Sequence, residues 1–333
     1  MEPRLTFDGC GAADRNFPLG EKDLKIGIIG MTEGNGHPYS WSAMFNDYDS
    51  QRMKNCPFAG IPAYLDKQPK HTIGIAGAKV THIYCDNSYD AQDVSWCSLI
   101  PNVVKRPEDM IGQVDAVIIA TDIGFQHVER CRPFIEADIP MLIDKPMADN
   151  EKDLQIFTKW HDAGRHFVSS SSMRYTKELE PYYKNHYELG KLMYICQPMC
   201  KKWETYGIHA LEAIYPLLGP GFISIQNTGT DERNFVHLSH ENGCDVNIPL
   251  SAGMYGAFGV TLLVGSVSNT VVKTQDSYYS FKKQLDKFVG WLRTGEEPQP
   301  FEETLELMKM VIGGIRSREE GNRKVMLEEI KAR

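Results

Sequence analysis

Between residues 24 and 172, short apolar runs alternate with stretches whose apolar residues recur every three or four positions. The runs are KIGII (25–29), KVTHIYC (79–85), VDAVIIAT (114–121), IPMLID (139–144) and HFVSSS (166–171). They are dense in Val and Ile and largely apolar at consecutive positions, as in strands covered on both faces of a parallel sheet. Between them, Trp41, Met44, Phe45 and Tyr48 fall at i, i+3, i+4 and i+7, one face of a helix. Pro38 suits its first turn, where a missing N–H is harmless. Val128, Cys131, Phe134 and Ile135 repeat the period, and Leu154, Phe157 and Trp160 do so after Asp149-Asn150, which can cap that helix. The alternation predicts a doubly wound α/β domain over 24–172. Residues 51–78, punctuated by Pro and Gly, read as an insertion in it.

From about 190 the pattern changes. KLMYICQPM, FISIQNTGT, RNFVHLSH and NTVVKT follow one another closely with turn residues between them, which predicts a largely antiparallel sheet. Two amphipathic helices follow, one carrying Phe281, Leu285, Phe288 and Leu292, the other Leu305, Met308, Ile312 and Ile315. The expected division is an N-terminal arm (1–23), a first α/β domain (24–172) and a second α/β domain (173–333).

Composition narrows the function. The 333 residues are 42 % hydrophobic and 24 % charged, with a formal net charge of −8 and no long basic run. Nucleic acid and anionic membranes need clustered Lys and Arg, so neither is the expected partner. No run of 18 apolar residues exists to span a bilayer, and the first 20 residues lack the apolar core of a secretory signal. The eight cysteines are scattered, mostly in apolar runs, which fits reduced thiols and a cytoplasmic location. Cys196 and Cys200 are spaced like a ligand pair, but no matching pair follows, so no metal is expected.

Four stretches carry candidate chemistry. In LKIGIIGMTEGNGHPYSWSAMF (24–45) a strand feeds a helix through a glycine turn, leaving backbone N–H groups at a helix N-terminus that attract a pyrophosphate. The glycines do not fit G-x-G-x-x-G, and an ordinary glycine loop explains them equally well. Asp86 ends the second strand. It is either a turn residue or an acceptor for a ribose diol; with no Arg following nearby, the second role favours NAD, with NADP as the alternative. Asp144-Lys145-Pro146 leaves a buried strand, and the proline holds Lys145 extended where open α/β sheets place ligands. In KKWETYGIHALEAIYPLLG (201–219), His209 falls near a helix start with Glu212 one turn on. A helix N-terminus and a nearby ammonium both keep an imidazole neutral and able to accept a proton. A hydrogen-bonded core histidine is the other reading.

Together these stretches resemble the glucose–fructose oxidoreductase/inositol dehydrogenase (Gfo/Idh/MocA) family over roughly residues 24 to 325. VDAVIIATDIGFQHVERCRPFIEADIPMLIDKP is similar to that family's fourth strand through its Glu-Lys-Pro signature, with Asp144 for the usual Glu. HFVSSSSMRY, YGIHALE and the closing helix pair match later segments. The resemblance implies a Rossmann domain followed by an α/β domain with a large, mostly antiparallel open sheet. It implies hydride transfer between nicotinamide and a secondary alcohol of a sugar, cyclitol or derivative. His209 would be the proton acceptor and Lys145 would contact both nicotinamide and the reacting hydroxyl. Gly30, Met31, Thr32, Asn35, Gly36, Asp86, Thr121, Asp122, His127 and Asp144 would line the cofactor. Arg174, Lys202, Trp203 and Glu204 would join Lys145 and His209 around the substrate, with Lys201 as the alternative to Lys202. The Lys145–Pro146 peptide would be cis. A homodimer or homotetramer through the second sheet is expected. One departure weakens the usual relay: the family's acid four residues before the histidine is Thr205, with Glu204 beside it as the candidate substitute. Three rivals follow, namely transient oxidation by bound NAD during elimination or epimerisation, a non-catalytic NAD-binding sensor, and a sugar-binding module without redox chemistry.

Overall fold

The computed structural model describes residues 17–183 and 185–333. Most of the expected N-terminal arm therefore lies outside the described residues. Its last part is tied down, with the Leu19 N–H donating to the Leu292 carbonyl at 2.7 Å.

The first sheet contains β1 (Leu24–Ile29), β2 (Ala78–Tyr84), β3 (Asn102–Val103), β4 (Ala116–Ile119), β5 (Met141–Ile143) and β6 (Phe167–Ser169). Its order is β3-β2-β1-β4-β5-β6, parallel throughout. The strand order reverses between β1 and β4, and open α/β sheets bind ligands outside the carboxyl ends of the strands at such a switch point. The connecting helices are α1 (His37–Asn46), α2 (Ser50–Met53), α3 (Gly60–Leu65), α4 (Ser88–Cys97), α5 (His127–Glu136) and α6 (Glu151–Asp162). Pro38 stands in the first turn of α1, and Asn150 caps α6 by accepting the Asp153 N–H at 3.0 Å. Helix α1 is buried nearly all round rather than on one face. Part of its cover comes from the insertion, whose Phe58 and Ile61 lie directly over Gly36.

The second sheet takes β7 (Leu192–Cys196), β8 (Met199–Cys200), β9 (Phe222–Asn227), β10 (Arg233–His240), β11 (Asp245–Ser251), β12 (Val260–Gly265), β13 (Asn269–Lys273) and β14 (Val325–Met326). Its order is β13-β12-β7-β11-β10-β9-β14, with β8 also beside β11. Most pairs are antiparallel; β7 and β8 run parallel to β11. The helices here are α7 (Glu180–Tyr183), α8 (Ile208–Leu218), α9 (Ser277–Thr294) and α10 (Phe301–Glu319).

The two final helices separate. Helix α10 packs on the second sheet, with Gly313 close against Ile225 of β9. Helix α9 returns to the first domain, where Leu285, Phe288, Val289 and Leu292 share a core with Leu24, Ile26, Trp41 and Val80. Each of these large buried side chains stabilises the fold by about 2 kcal/mol. No helix among the described residues is long and apolar enough to cross a membrane.

Candidate active site

The turn from β1 to α1 is compact and partly self-bonded. Gly30 lies so close to Pro38 that an added Cβ would sit 2.4 Å from the proline Cγ. Gly34 has φ +76°, the left-handed region that glycine enters without steric cost. Gly36 begins α1 without a side-chain cap. Asn35 is used internally: its amide donates to the Ala120 carbonyl at 3.3 Å and to Asp144 Oδ2 at 3.1 Å, and its Oδ1 accepts the His37 N–H at 2.9 Å. Its side chain ties the turn to β4 and β5 and is not free for the cofactor contact expected of it.

At the end of β5, Asp144 is fully buried. It accepts the His37 Nδ1–H at 2.7 Å and the Lys145 N–H at 2.8 Å. Burial alone would push its carboxyl up, but His37, Lys145 and these bonds hold it well below the usual carboxylate range. Asp144 thus anchors the turn and does not line a ligand surface. The next peptide, Lys145–Pro146, is cis. The buried Lys145 Nζ lies 3.5 Å from Asp122 Oδ2, and Asp122 Oδ1 accepts the Thr32 hydroxyl at 2.7 Å.

Beyond β4, the Thr121 hydroxyl is buried without a hydrogen-bond partner. His127 is buried between two carbonyls, with Nε2 2.8 Å from Thr121 O and Nδ1 3.2 Å from Met147 O. Burial lowers its pKa, and the carbonyls oppose that in part. It supports the Thr121 backbone instead of meeting a cofactor itself. Asp86, at the mouth of β2, is not free of arginine. Arg130 of α5 forks onto it at 2.6 and 3.2 Å. The statement that no Arg follows nearby holds for the adjoining sequence and fails in space.

The second domain brings His209 to the same cleft. A π turn over Trp203–Gly207 runs into α8, placing His209 in the first turn. Its Nδ1 is 2.6 Å from Ser171 Oγ, beyond β6. Burial, then the Lys145 charge, keeps its pKa well below that of a free histidine. The Tyr206 ring joins the two: its centroid is 4.8 Å from that of His209 and 5.4 Å from Lys145 Nζ. Lys201 sits over the same ring at 4.2 Å and donates to the Gly34 carbonyl at 3.3 Å. Burial lowers its pKa; Asp122 opposes and Lys145 assists that shift.

The remaining substrate candidates are placed elsewhere. Lys202 is exposed, and Lys201 takes the inward position from a left-handed backbone just past the end of β8. Trp203 is a core residue, donating through Nε1 to the Val311 carbonyl at 2.9 Å and packed on Gly207 and Gly314. Glu204 pairs with Arg318 and does not replace the acid missing at 205. Arg174 is buried between Glu212 at 2.5 Å and Glu303 at 2.8 Å. Burial opposes its charge, and these carboxylates more than offset that. Glu212 also accepts the Ser171 N–H at 3.1 Å, so it supports the site from behind.

Residues 24–162 match the model of an oxidoreductase family with an NAD-binding Rossmann fold, GFO_IDH_MocA. The N-terminal domain is a Gfo/Idh/MocA domain. That family is one of NAD-binding oxidoreductases. No curated protein matches the sequence. Solved structures share the fold of nearly the whole chain at low identity. A probable dehydrogenase from Thermotoga maritima is 15 % identical with TM-score 0.70, covering 92 % of this chain and 100 % of its own. For myo-inositol 2-dehydrogenase from Lactobacillus plantarum the values are 15 %, 0.69, 92 % and 99 %. For myo-inositol dehydrogenase from Lactobacillus casei, solved with NAD(H) and myo-inositol, they are 12 %, 0.69, 91 % and 96 %.

The cleft fits a dinucleotide on its own features. The unpartnered Thr121 hydroxyl and the part of the α1 N-terminus that Asn35 leaves unserved are groups that a polar ligand satisfies. A recess of about 180 Å³ beside them is lined by His37, Phe58, Tyr64, Asp122, Lys145 and Tyr206. Sequence reasoning missed Ser171, Tyr206 and His37. Tyr206 was signalled by its position one turn before His209, and His37 by following the glycine turn at the start of a helix. Ser171 is one of four consecutive serines, and nothing in the sequence singles it out.

Proposed function

We propose that the chain interconverts a secondary alcohol of a sugar, cyclitol or derivative with the matching ketone, using Lys145 and His209 at the reacting oxygen. The observation that carries this reading is the Tyr206 ring in contact with both side chains, one from each domain. NAD, when bound, supplies the hydride acceptor. Met31, Thr32, Gly36, Thr121 and Asp122 are the proposed contacts for it, with Asp86 at the ribose. His209 is neutral near pH 7 and takes the hydroxyl proton at Nε2, the nitrogen not turned to Ser171. The Lys145 ammonium orients the hydroxyl oxygen and stabilises negative charge developing there. Lys201, in place of Lys202, holds a polar group of the substrate at the cleft mouth. The expected homodimer or homotetramer would use the outer face of the second sheet, where Phe235 and Val271 are exposed and alternate with buried Val236 and Val272.

The reading is tested by screening sugars, sugar acids and cyclitols for NADH formation, with product analysis for turnover without net redox change. Lys145→Met and His209→Ala should each lower turnover by roughly 10²–10⁴-fold and leave NADH affinity within a few-fold. Near-normal turnover in both variants rejects these roles.

A further inference from the structure

We propose that Ser171 is the positioning residue of His209, orienting the imidazole through a neutral hydroxyl in a chain that carries no acid at position 205. This rests on the proposed function only for what His209 goes on to do; the pairing itself is a separate claim.

Ser171 is the single hydrogen-bond partner of the His209 ring among the described residues. It is itself held at two points, and one of its partners is held in turn. Its Oγ accepts the Met173 N–H at 3.0 Å, its N–H donates to Glu212 Oε1 at 3.1 Å, and Glu212 is gripped by Arg174. Both Ser171 and His209 are buried. A side chain fixed in this way sets the plane of the imidazole and leaves Nε2 for the cleft.

A hydroxyl has one proton to donate and two lone pairs that accept. With the Met173 N–H on one lone pair, Ser171 Oγ either takes the Nδ1–H on the other or gives its own proton to Nδ1, and the surrounding charge chooses the tautomer. The charged and titratable groups acting on the ring come from four segments. They are Lys145 and Asp144 at the end of β5, His37 of α1, Lys201 after β8, and Tyr206 ahead of α8. Three are basic, and Lys145 exerts the largest charge effect on the ring. Its ammonium disfavours a proton on the nitrogen that shares the cleft. The proton therefore sits on Nδ1 and donates to Ser171 Oγ, leaving the Nε2 lone pair free. When a substrate O–H bond breaks and an Nε2–H bond forms, Nδ1 keeps both its proton and its bond to Oγ. A carboxylate in this place would raise the proton affinity of the ring; a hydroxyl does not. The absence of an acid at 205 thus removes a charge but not the orientation, which counters the main support for a non-catalytic sensor.

The test is histidine-labelled NMR of the whole protein, with the His209 signal assigned by its loss in His209→Ala. The wild type and Ser171→Thr should show Nδ1–H. Ser171→Ala and Ser171→Gly should shift the tautomer ratio by roughly three- to tenfold, and Ser171→Asp should raise the midpoint of the ring by about one to three pH units. An Nε2–H ring in the wild type, or a ratio unmoved in both hydroxyl-less variants, overturns the proposal. These signals need no substrate, so they stand or fall separately from the turnover of the Lys145 and His209 variants.

Discussion

Lys201 and Gly34 meet across the two domains, with the ammonium of one donating to the carbonyl of the other at 3.3 Å. Lys201 reaches that carbonyl from a left-handed backbone, φ 62°, a conformation that costs a side-chain-bearing residue about 1–3 kcal/mol. A backbone carbonyl is a modest partner for an ammonium, and an oxygen-rich ligand entering the cleft is a better one. Lys201→Met should raise the Michaelis constant of the alcohol roughly tenfold or more, and Lys202→Met should change it less than about twofold. Steady-state kinetics at saturating NAD decides between them. Equal effects would return position 202 to the site.

The Asp86–Arg130 pair predicts how cofactor preference responds. With Asp86 present, Arg130 is engaged and a 2′-phosphate meets a carboxylate. Asp86→Ser frees the guanidinium, which suits that phosphate. The ratio of NADPH to NADH dissociation constants, read by fluorescence titration, should fall by roughly tenfold or more. An unchanged ratio removes this pair from the ribose site.

Trp203 should behave as packing. Trp203→Ala removes a buried indole and its bond to Val311, and should destabilise the protein by about 3–5 kcal/mol. Trp203→Phe should cost less and leave the order of preference among substrates unchanged. Chemical denaturation and the substrate screen together test this. Full stability in the alanine variant is the contrary result.

The pH dependence of stability has a definite sign. Asp144 and His209 both have folded pKa values below their unfolded ones, which are about 4 and 6.5. Below about pH 6.5 the unfolded chain takes a proton that folded His209 refuses, so stability falls as pH drops. The Asp144 contribution is complete above about pH 4 and is lost as pH falls towards its depressed folded value. Thermal melts at constant ionic strength should therefore decline below neutrality, with the upper part flattened by His209→Gln and the acid limb by Asp144→Asn. Curves identical to wild type in both variants would contradict the assignment.

The first sheet was legible because its central strands β1, β4 and β5 are almost fully covered, so Val and Ile at consecutive positions mark them. The two-residue edge strand β3, Asn102–Val103, is exposed and carries no such mark. The proline after Lys145 and the helix start near His209 are local cues, and the structure has both. The errors came from pairings distant in sequence. Arg130 reaches Asp86 from another helix, Glu204 is taken by Arg318, and Trp203 fits into the space left by Gly207 and Gly314. Periodicity reports which face a residue occupies and not which remote partner it meets there. Ser171 shows the converse: its significance comes entirely from His209, which arrives from the other domain.

Helix α9 also sets an order of events during synthesis. Leu24 and Ile26 leave the ribosome long before Phe288 and Leu292, which complete their core. At about 5–20 residues per second, the nascent β1–α1 region stays uncovered for tens of seconds at the slower rate, a window in which a holding chaperone has an apolar surface to bind. The half that is made first waits for a helix made after the other half's sheet is nearly complete.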